Sequence, residues 1–443
     1  MPFPAGTRSS ALAEGNGAGG SLAQSDGMSE TGHHVRMEAA SEDASVTPLE
    51  LYFDLVFVFG LTQVTALIAT NPTGQGLLRG MLVLGLLWWS WVGYAWLGNV
   101  VRADEGTARI AMLAAMAAMF VMALAIPEAF DDLPGGLPGP VVVGLCYFSF
   151  RALHLLLFWI ISRDDEGLRR QVIRFAPSMI GGTALLLVAS ALDGPAQTAM
   201  WALALLADYG GTMLAGASGW RLRSASHFAE RHGLIVIVAL GESIVAIGVG
   251  IAGLPVSWPV LAAAVLGLGL SAALWWVYFD VTSLIAERAL AEARDADRAR
   301  LARDAYSYLH LPMITGVVLV ALGVEKVLEY VGDGEHHDLA EALTGLPLYA
   351  LYGGVALYLL AHAAFKLRAT HILSTQRLVV AAVTLALIPI AAQVPALAAL
   401  TLLSITVVGL VAYETVRFAD DRERIRHEGA THAGGGNEGS GAG

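Results

Sequence analysis

Apolar residues in this chain come in long unbroken blocks, not in the alternation of a strand or the narrow stripe of a surface helix. Twelve such blocks lie near 50–69, 77–100, 107–127, 139–162, 172–192, 198–217, 231–252, 258–282, 304–325, 345–365, 377–393 and 395–416. Each is about 20 residues long, which at ~1.5 Å per residue carries a helix across a hydrocarbon layer of ~30 Å. The breaks fall at turn chemistry: Asn71-Pro72, the Pro/Gly-rich run from Leu133 to Pro140, and Asp193-Gly-Pro195. Gln393-Val-Pro395 leaves almost no loop between the last two blocks. The pattern predicts an all-α, polytopic integral membrane protein with about twelve transmembrane helices. Residues 284–303 mix arginines and acids with Ala, Leu and Ile, too polar to span, and predict a cytoplasmic helix lying at the interface. The flanks, 1–45 and 417–443, are Gly-rich and polar and predict disordered cytoplasmic tails. The first tail has no basic region followed by an apolar core, so it does not read as a signal peptide, and its His33-His34 pair carries no functional expectation.

Composition narrows the function classes. The 443 residues are 56% hydrophobic and 14% charged, against roughly 25% charged in soluble domains, and the mean hydropathy is +0.61. A single cysteine, Cys146, excludes an intrachain disulfide and a multi-cysteine metal site. A net charge of -12 argues against a nucleic-acid partner. The two lysines, Lys326 and Lys366, do not follow a glycine, so there is no Walker-type phosphate loop; H-E-x-x-H and G-x-S-x-G are also missing. The expectation is no enzyme, no cofactor and no bound metal. The partners expected are the lipid bilayer and a small ion or small-molecule substrate.

Basic residues set the orientation. The connections after the even-numbered blocks hold Arg102 and Arg109, then Arg163, Arg169, Arg170 and Arg174, then Arg221, Arg223 and Arg231. They continue with Arg288 to Arg303 and with Lys366, Arg368 and Arg377. Those after the odd blocks hold almost none, Arg79 and Lys326 being the exceptions. The positive-inside rule then places both termini in the cytoplasm. The opposite face carries Glu128, Asp131, Asp132, Asp193, Glu329, Asp333, Glu335, Asp338 and Glu341. Such a face would concentrate cations, although acids are also what remains where basic residues are excluded.

The halves 46–225 and 226–416 echo each other. Glu50 with the apolar run after it matches Glu230 and its run, Trp91-Val-Gly-Tyr94 matches Trp275-Trp-Val-Tyr278, and Ala125-Ile-Pro-Glu128 matches Leu322-Gly-Val-Glu325. The offsets grow from 180 to 184 to 197, as they would if insertions fall in loops. Six blocks per half is even, so the expectation is two parallel six-helix repeats related by an axis along the membrane normal.

Five stretches carry a family resemblance: Pro48-Leu-Glu-Leu-Tyr-Phe-Asp-Leu-Val-Phe-Val-Phe59, Ile126-Pro-Glu-Ala-Phe130, His227-Phe-Ala-Glu-Arg-His-Gly-Leu234, Leu240-Gly-Glu-Ser243, and Tyr308-Leu-His-Leu-Pro312 followed by Glu325. At these residues, across roughly 48–326, the chain resembles the low temperature requirement protein A family of bacterial membrane proteins. His232 stands where an aromatic residue is expected. The resemblance implies a multi-pass bacterial membrane protein and brings no biochemical activity with it. The chain is also similar to two-repeat, twelve-helix potassium channels whose first helices carry an aromatic-Ser-Asp motif. Here Phe53-Asp54 lacks the serine and the seventh block lacks the Asp.

The candidate chemistry is the set of polar residues inside the apolar blocks. Glu242, followed by Ser243, lies twelve residues beyond Glu230, near the middle of a spanning helix, where a charge must be paired, neutralised or hydrated. Arg151, with His154 one turn on, and Asp208 also lie near the midplane. Arg151, Asp208 and Glu242 would form a central set of formal charge -1, to be balanced by a proton or cation, or else a static clamp around the arginine. Glu242 and Arg151 are expected to approach within direct or single-water hydrogen-bond reach, with Asp208 close by. Glu50 and Asp54 share a helix face; a solvated cap explains Glu50 better than it explains Asp54. His310 is either a hydrogen-bonded core histidine or a titrating group, and His362 reads as interfacial. Trp88, Trp89, Trp91, Tyr94, Trp96, Trp275, Trp276 and Tyr278 read as interfacial belt or helix packing, with an aromatic ligand pocket as the alternative. Gly210, Gly211 and Gly216 read as close-packing positions. The functional expectation is a secondary transporter or ion permease with a charged midplane site. The alternatives are a cation channel built from the two repeats and a non-transporting membrane sensor or scaffold.

Overall fold

The computed structural model describes residues 45–102, 106–217 and 219–420. The tails expected at 1–45 and 417–443, with His33 and His34, lie almost wholly outside them. Among the described residues the regular elements are helical, apart from one isolated bridge between Ala342 and Pro395. The first half holds α1 (Pro48–Thr70), α2 (Gly74–Val100), α3 (Gly106–Leu124), α4 (Gly139–Ile161), α5 (Glu166–Ala189) and α6 (Gly194–Ala215). The second holds α7 (Ala225–Gly250), α8 (Trp258–Phe279), α9 (Thr282–Glu292), α10 (Asp295–Leu301), α11 (His310–Gly332) and α12 (Leu346–Thr370), then α13 (Thr375–Ala386), α14 (Ile388–Ala391) and α15 (Ala396–Arg417). A π-helical turn, Ala302–Tyr308, leads into α11.

Helix starts follow local chemistry. Thr47 and Glu50 form a capping box on α1, and Thr73, Asp165, Ser224 and Ser257 cap α2, α5, α7 and α8 through their side chains. Among the described residues ten helices, some counted with the shorter helices or turns that adjoin them, are long and apolar enough to cross a membrane. Two of the twelve expected blocks are not among them. One is α6, 22 residues long but carrying Gln197 and Asp208. The other is divided into α13 and α14; Pro389, in the first turn of α14, has no N–H to continue the ladder. The polar stretch 284–303 falls on α9 and α10, of 11 and 7 residues, too short to span alone.

α2 is the most enclosed span, with 89% of its apolar window buried against 44% for α1. Its Trp88, Trp91 and Tyr94 are core packing and not a surface belt, whereas Trp275 and Trp276 of α8 face outward. α1 packs on α2 and α3, α3 on α4, α4 on α5, α5 on α6, and α6 returns to α2. α7 packs on α8 and α11, α11 on α12, α12 on α13, α13 on α15, and α15 returns to α8. α1 and α2 each touch both α7 and α11, joining the two circuits. α11 and α12 approach through glycine: a Cβ on Gly316 would stand 2.6 Å from the Gly354 carbonyl oxygen, and one on Gly323 2.7 Å from Leu351 Cα. Of the glycines of α6, Gly211 is a close-packing position against Ser178, Gly210 faces open space, and Gly216 ends the helix at φ +75°.

Candidate functional site

Among the described residues, three of the buried groups of ionisable residues bear on the candidate site. The first joins α4 to α6. Arg151 Nη2 donates to both carboxylate oxygens of Asp208 at 2.8 and 2.9 Å, and the Tyr147 hydroxyl donates to Asp208 Oδ2 at 2.7 Å. Both charged side chains are at most 5% exposed. A desolvated pair of this kind is neutral as a unit and costs several kcal/mol to break. One turn on, His154 Nε2 donates to the Gly93 carbonyl at 3.0 Å. Gly93 cannot carry a side chain without meeting that ring. Arg151, His154, Trp89, Trp96, Trp220 and Phe175 line a cavity of about 50 Å³, room for a few water molecules.

The second group lies at the N-terminal ends of α1 and α7, against α2. Arg231 Nη2 donates to Asp54 Oδ1 at 2.9 Å, and Trp91 Nε1 donates to the same oxygen at 2.8 Å. His227 Nε2 lies 3.1 and 3.2 Å from the two Glu50 oxygens, so it donates to the carboxylate. Asn99 Nδ2 fixes that tautomer by facing His227 Nδ1 at 3.4 Å. Glu50 and Asp54 are each 2% exposed. Glu50 is therefore not a solvated cap: it closes the capping box and pairs with α7 at once. Gly98 makes this possible, because a Cβ there would collide with Glu50 Oε1. Sequence reasoning does not single out His227, Arg231, Trp91 and Asn99 as site residues. The available signal is Asp54 itself, an acid in an apolar block that needs a donor on a neighbouring helix.

The third group lies deeper between the same two helices. Glu242 is 1% exposed, and its Oε2 lies 2.6 Å from Thr62 Oγ1 of α1. Thr65 is buried alongside, and the buried Ser243 hydroxyl has no partner among the described residues. Glu325 of α11 is close enough for the two charges to act on one another. Thr62 Oγ1 also stands 3.3 Å from the Val58 carbonyl. A hydroxyl has one proton. It can donate to Val58 and accept from a protonated Glu242, or turn and donate to the carboxylate. The site therefore accommodates both charge states of Glu242.

The expected pairing of Glu242 with Arg151 is not formed. Asp208 takes the arginine, and Glu242 faces hydroxyls. The central set divides into a neutral clamp and a separate acid. His310 is a hydrogen-bonded core histidine: Nδ1 donates to the Ala305 carbonyl at 3.1 Å and Nε2 accepts from the Tyr278 hydroxyl at 2.9 Å. His362 is not interfacial but fully buried against Arg377, whose guanidinium forks onto Glu414 at 2.8 Å through Nε and Nη2. Among the described residues no group of three or more His, Cys, Asp or Glu could hold a metal ion.

Comparison with known proteins places this architecture. An uncharacterized protein of Rhizobium meliloti (strain 1021) is 28% identical over 336 residues, covering 72% of this chain and 78% of the relative. Residues 45–412 match the family described as bacterial low temperature requirement A protein, a span that includes all three buried groups. With ten helices long and apolar enough to cross a membrane among the described residues, and that match over most of its length, the chain is a multi-pass membrane protein of the bacterial low temperature requirement A (LtrA) family.

Proposed function

We propose that this protein moves a small cation or a proton across the bacterial cytoplasmic membrane, with Glu242 as the exchanging group. The observation that carries the reading is the partner set of Glu242. Arg151 and Arg231 are neutralised by Asp208 and by Asp54 with Glu50, whereas Glu242, equally buried, meets hydroxyl groups. A carboxylate held this way inside a membrane protein is stabilised by taking up a proton or a cation. Thr62 serves it in either state. The polar groups of α1 and α7 also repeat in depth: Glu50, Asp54, His227 and Arg231 at one level, and Thr62, Thr65, Glu242 and Ser243 eleven or twelve residues further on. That is a second level about 17 Å deeper.

The twelve-segment, two-repeat organisation belongs to the same reading. The two packing circuits follow one order, first helix to second and third, and sixth back to second, when α13 with α14 and α15 are taken as the last two members of the second half. Contacts 50–227, 54–231 and 62–242 mean that α1 and α7 run the same way. Thr62 and Glu242 are 180 residues apart, the offset of the repeat at these helices, so they meet where a two-fold axis along the membrane normal would pass. Arg79 and Lys326, the two cations on the acid-rich face, are tied to Asp131 and Glu329 at 2.6 Å each. This supports an inside defined by the remaining arginines, with both termini there. A junction of corresponding helices is also where a two-repeat cation channel would place its pore, which keeps that mechanism as the second reading.

Flux into proteoliposomes tests the proposal, with protons, sodium and potassium offered in turn. Glu242→Gln should abolish flux at unchanged yield and thermal stability. Undiminished flux in that variant would overturn the assignment. Saturation with a coupling ion identifies a carrier, and unitary current steps identify a channel.

A further inference from the structure

A second cavity, larger than the one beside Arg151, opens on the other side of α7. Its volume is about 210 Å³. Glu230 and Glu287 line it together with Ser283, in the first turn of α9, and Tyr278, Phe279 and Tyr306 form aromatic walls. Leu234 and Ile237 continue it as an apolar slot along α7.

Two independent observations mark it as a ligand site. The first is charge. Glu230 and Glu287 act on one another electrostatically, yet neither forms an ion pair among the described residues. This holds in a part of the chain rich in arginine; Arg288, next to Glu287 in the chain, offsets its charge through space. Among the described residues the hydrogen-bond donor to the Glu230 carboxylate is the Val46 amide, which reaches Oε2 at 3.2 Å. The second is Tyr306. It is 1% exposed, its hydroxyl has no hydrogen-bond partner among the described residues, and it lines the cavity within the field of Glu287. A buried hydroxyl left without a partner costs about 1–3 kcal/mol. Tyr306 is set at this position by the π-helical turn Ala302–Tyr308, a departure from regular helix that recurs at functional sites.

We infer that this cavity binds an organic ammonium group: the cation sits between Glu230 and Glu287 within reach of the Tyr306 hydroxyl, and its apolar body lies along Leu234 and Ile237. A hard metal ion fits less well. It needs six or more oxygens at ~2.0–2.6 Å, and the lining supplies two carboxylates and a few hydroxyls around a space too wide for a bare ion. Aromatic faces beside carboxylates suit an alkylammonium, which gains both charge pairing and cation–π contact. The ammonium can belong to a soluble amine or to the headgroup of an aminophospholipid, since Ile237 is 45% exposed on the lipid-facing side of α7. The inference stands apart from the transport reading, because it is tested by binding alone and its failure would leave Glu242 untouched.

The test is calorimetric titration of the full chain, in nanodiscs of phosphatidylcholine, with n-butylammonium chloride. Butan-1-ol serves as the uncharged probe and magnesium chloride as the metal. Saturable binding of butylammonium and none of butan-1-ol is expected. Glu230→Gln and Glu287→Gln should each weaken it about tenfold or more, the loss of one charge-assisted partner. Tyr306→Phe should weaken it a few-fold without lowering thermal stability. Glu230 is exposed, so its variant will fold and keeps the test decisive. Binding that persists in phosphatidylethanolamine discs identifies a soluble amine, and competition by that lipid identifies the headgroup; both support the site. No saturable butylammonium heat, wild-type affinity in both glutamine variants, or displacement of butylammonium by magnesium would each overturn it.

Discussion

At the scale of single residues, the buried charges divide by what faces them. Asp54 receives hydrogen bonds from Arg231 and Trp91, and Glu50 from His227. Replacing Arg231 by Met strands two buried acids and should lower stability by about 3–5 kcal/mol. Trp91→Phe keeps the ring but removes the indole donor, and should cost about 1–3 kcal/mol. Equilibrium unfolding in detergent measures both, and changes within about 0.5 kcal/mol would contradict the pairing. Thr62 separates a structural role from an exchanging one. Thr62→Ser keeps the hydroxyl opposite Glu242 and should preserve flux; Thr62→Val removes it and should lower flux about tenfold or more at equal yield, on the scale of one lost hydrogen bond to a charge. Equal flux in the two variants would remove Thr62 from the mechanism.

At the scale of helices, association between lipid-embedded segments rests on close packing more than on hydrophobicity. α11 and α12 meet backbone to backbone, with Gly316 and Gly354 each facing the other's carbonyl oxygen. A methyl group at Gly316 must push the helices apart, and Gly316→Ala should cost about 1–3 kcal/mol. A Cβ at Gly409 of α15 would meet nothing within 4 Å. Gly409→Ala should therefore be neutral, or stabilising by up to about 1 kcal/mol through helix propensity. Melting temperatures of the two variants should move in opposite directions or differ by several degrees, and an equal loss in both would mean that the glycines matter through backbone freedom instead.

For the molecule as a whole, topology is the property most open to direct measurement, and the single cysteine makes it accessible. In a Cys146→Ser background, a cysteine at Gly136 should react with an impermeant thiol reagent from outside intact cells. One at Arg221 should react only after permeabilisation. Labelling of Arg221→Cys from outside would invert the orientation. The same face holds Asn99 at the end of α2, hydrogen-bonded at 2.6 Å to the Ser224 carbonyl just ahead of α7, so the two positions report on one end of the bundle.

The class of this protein was legible in its sequence because block length and charge exclusion are imposed by the bilayer on each helix separately. No knowledge of neighbours is needed to see that residues 231–252 can span, that 284–303 cannot, or that Glu242, Arg151 and Asp208 are costly where they stand. Which of them pair is a different kind of question. Arg151 had two acids at similar depth to choose from, and only the packing of α6 on α5 and α2 put Asp208 beside it and left Glu242 to α1. Glu50 could be read from sequence as the cap of its own helix, since capping is local. Its second role, against His227 from 177 residues away, exists only because α1 and α7 lie side by side. The same holds for Tyr306: its sequence context reads as an aromatic residue near a helix start, and its unpartnered hydroxyl beside two glutamates arises when a π-helical turn, α7 and α9 close around one space. Local physics acts through the chain and is written along it; partner choice among buried charges depends on which helices touch, and tertiary packing alone decides that.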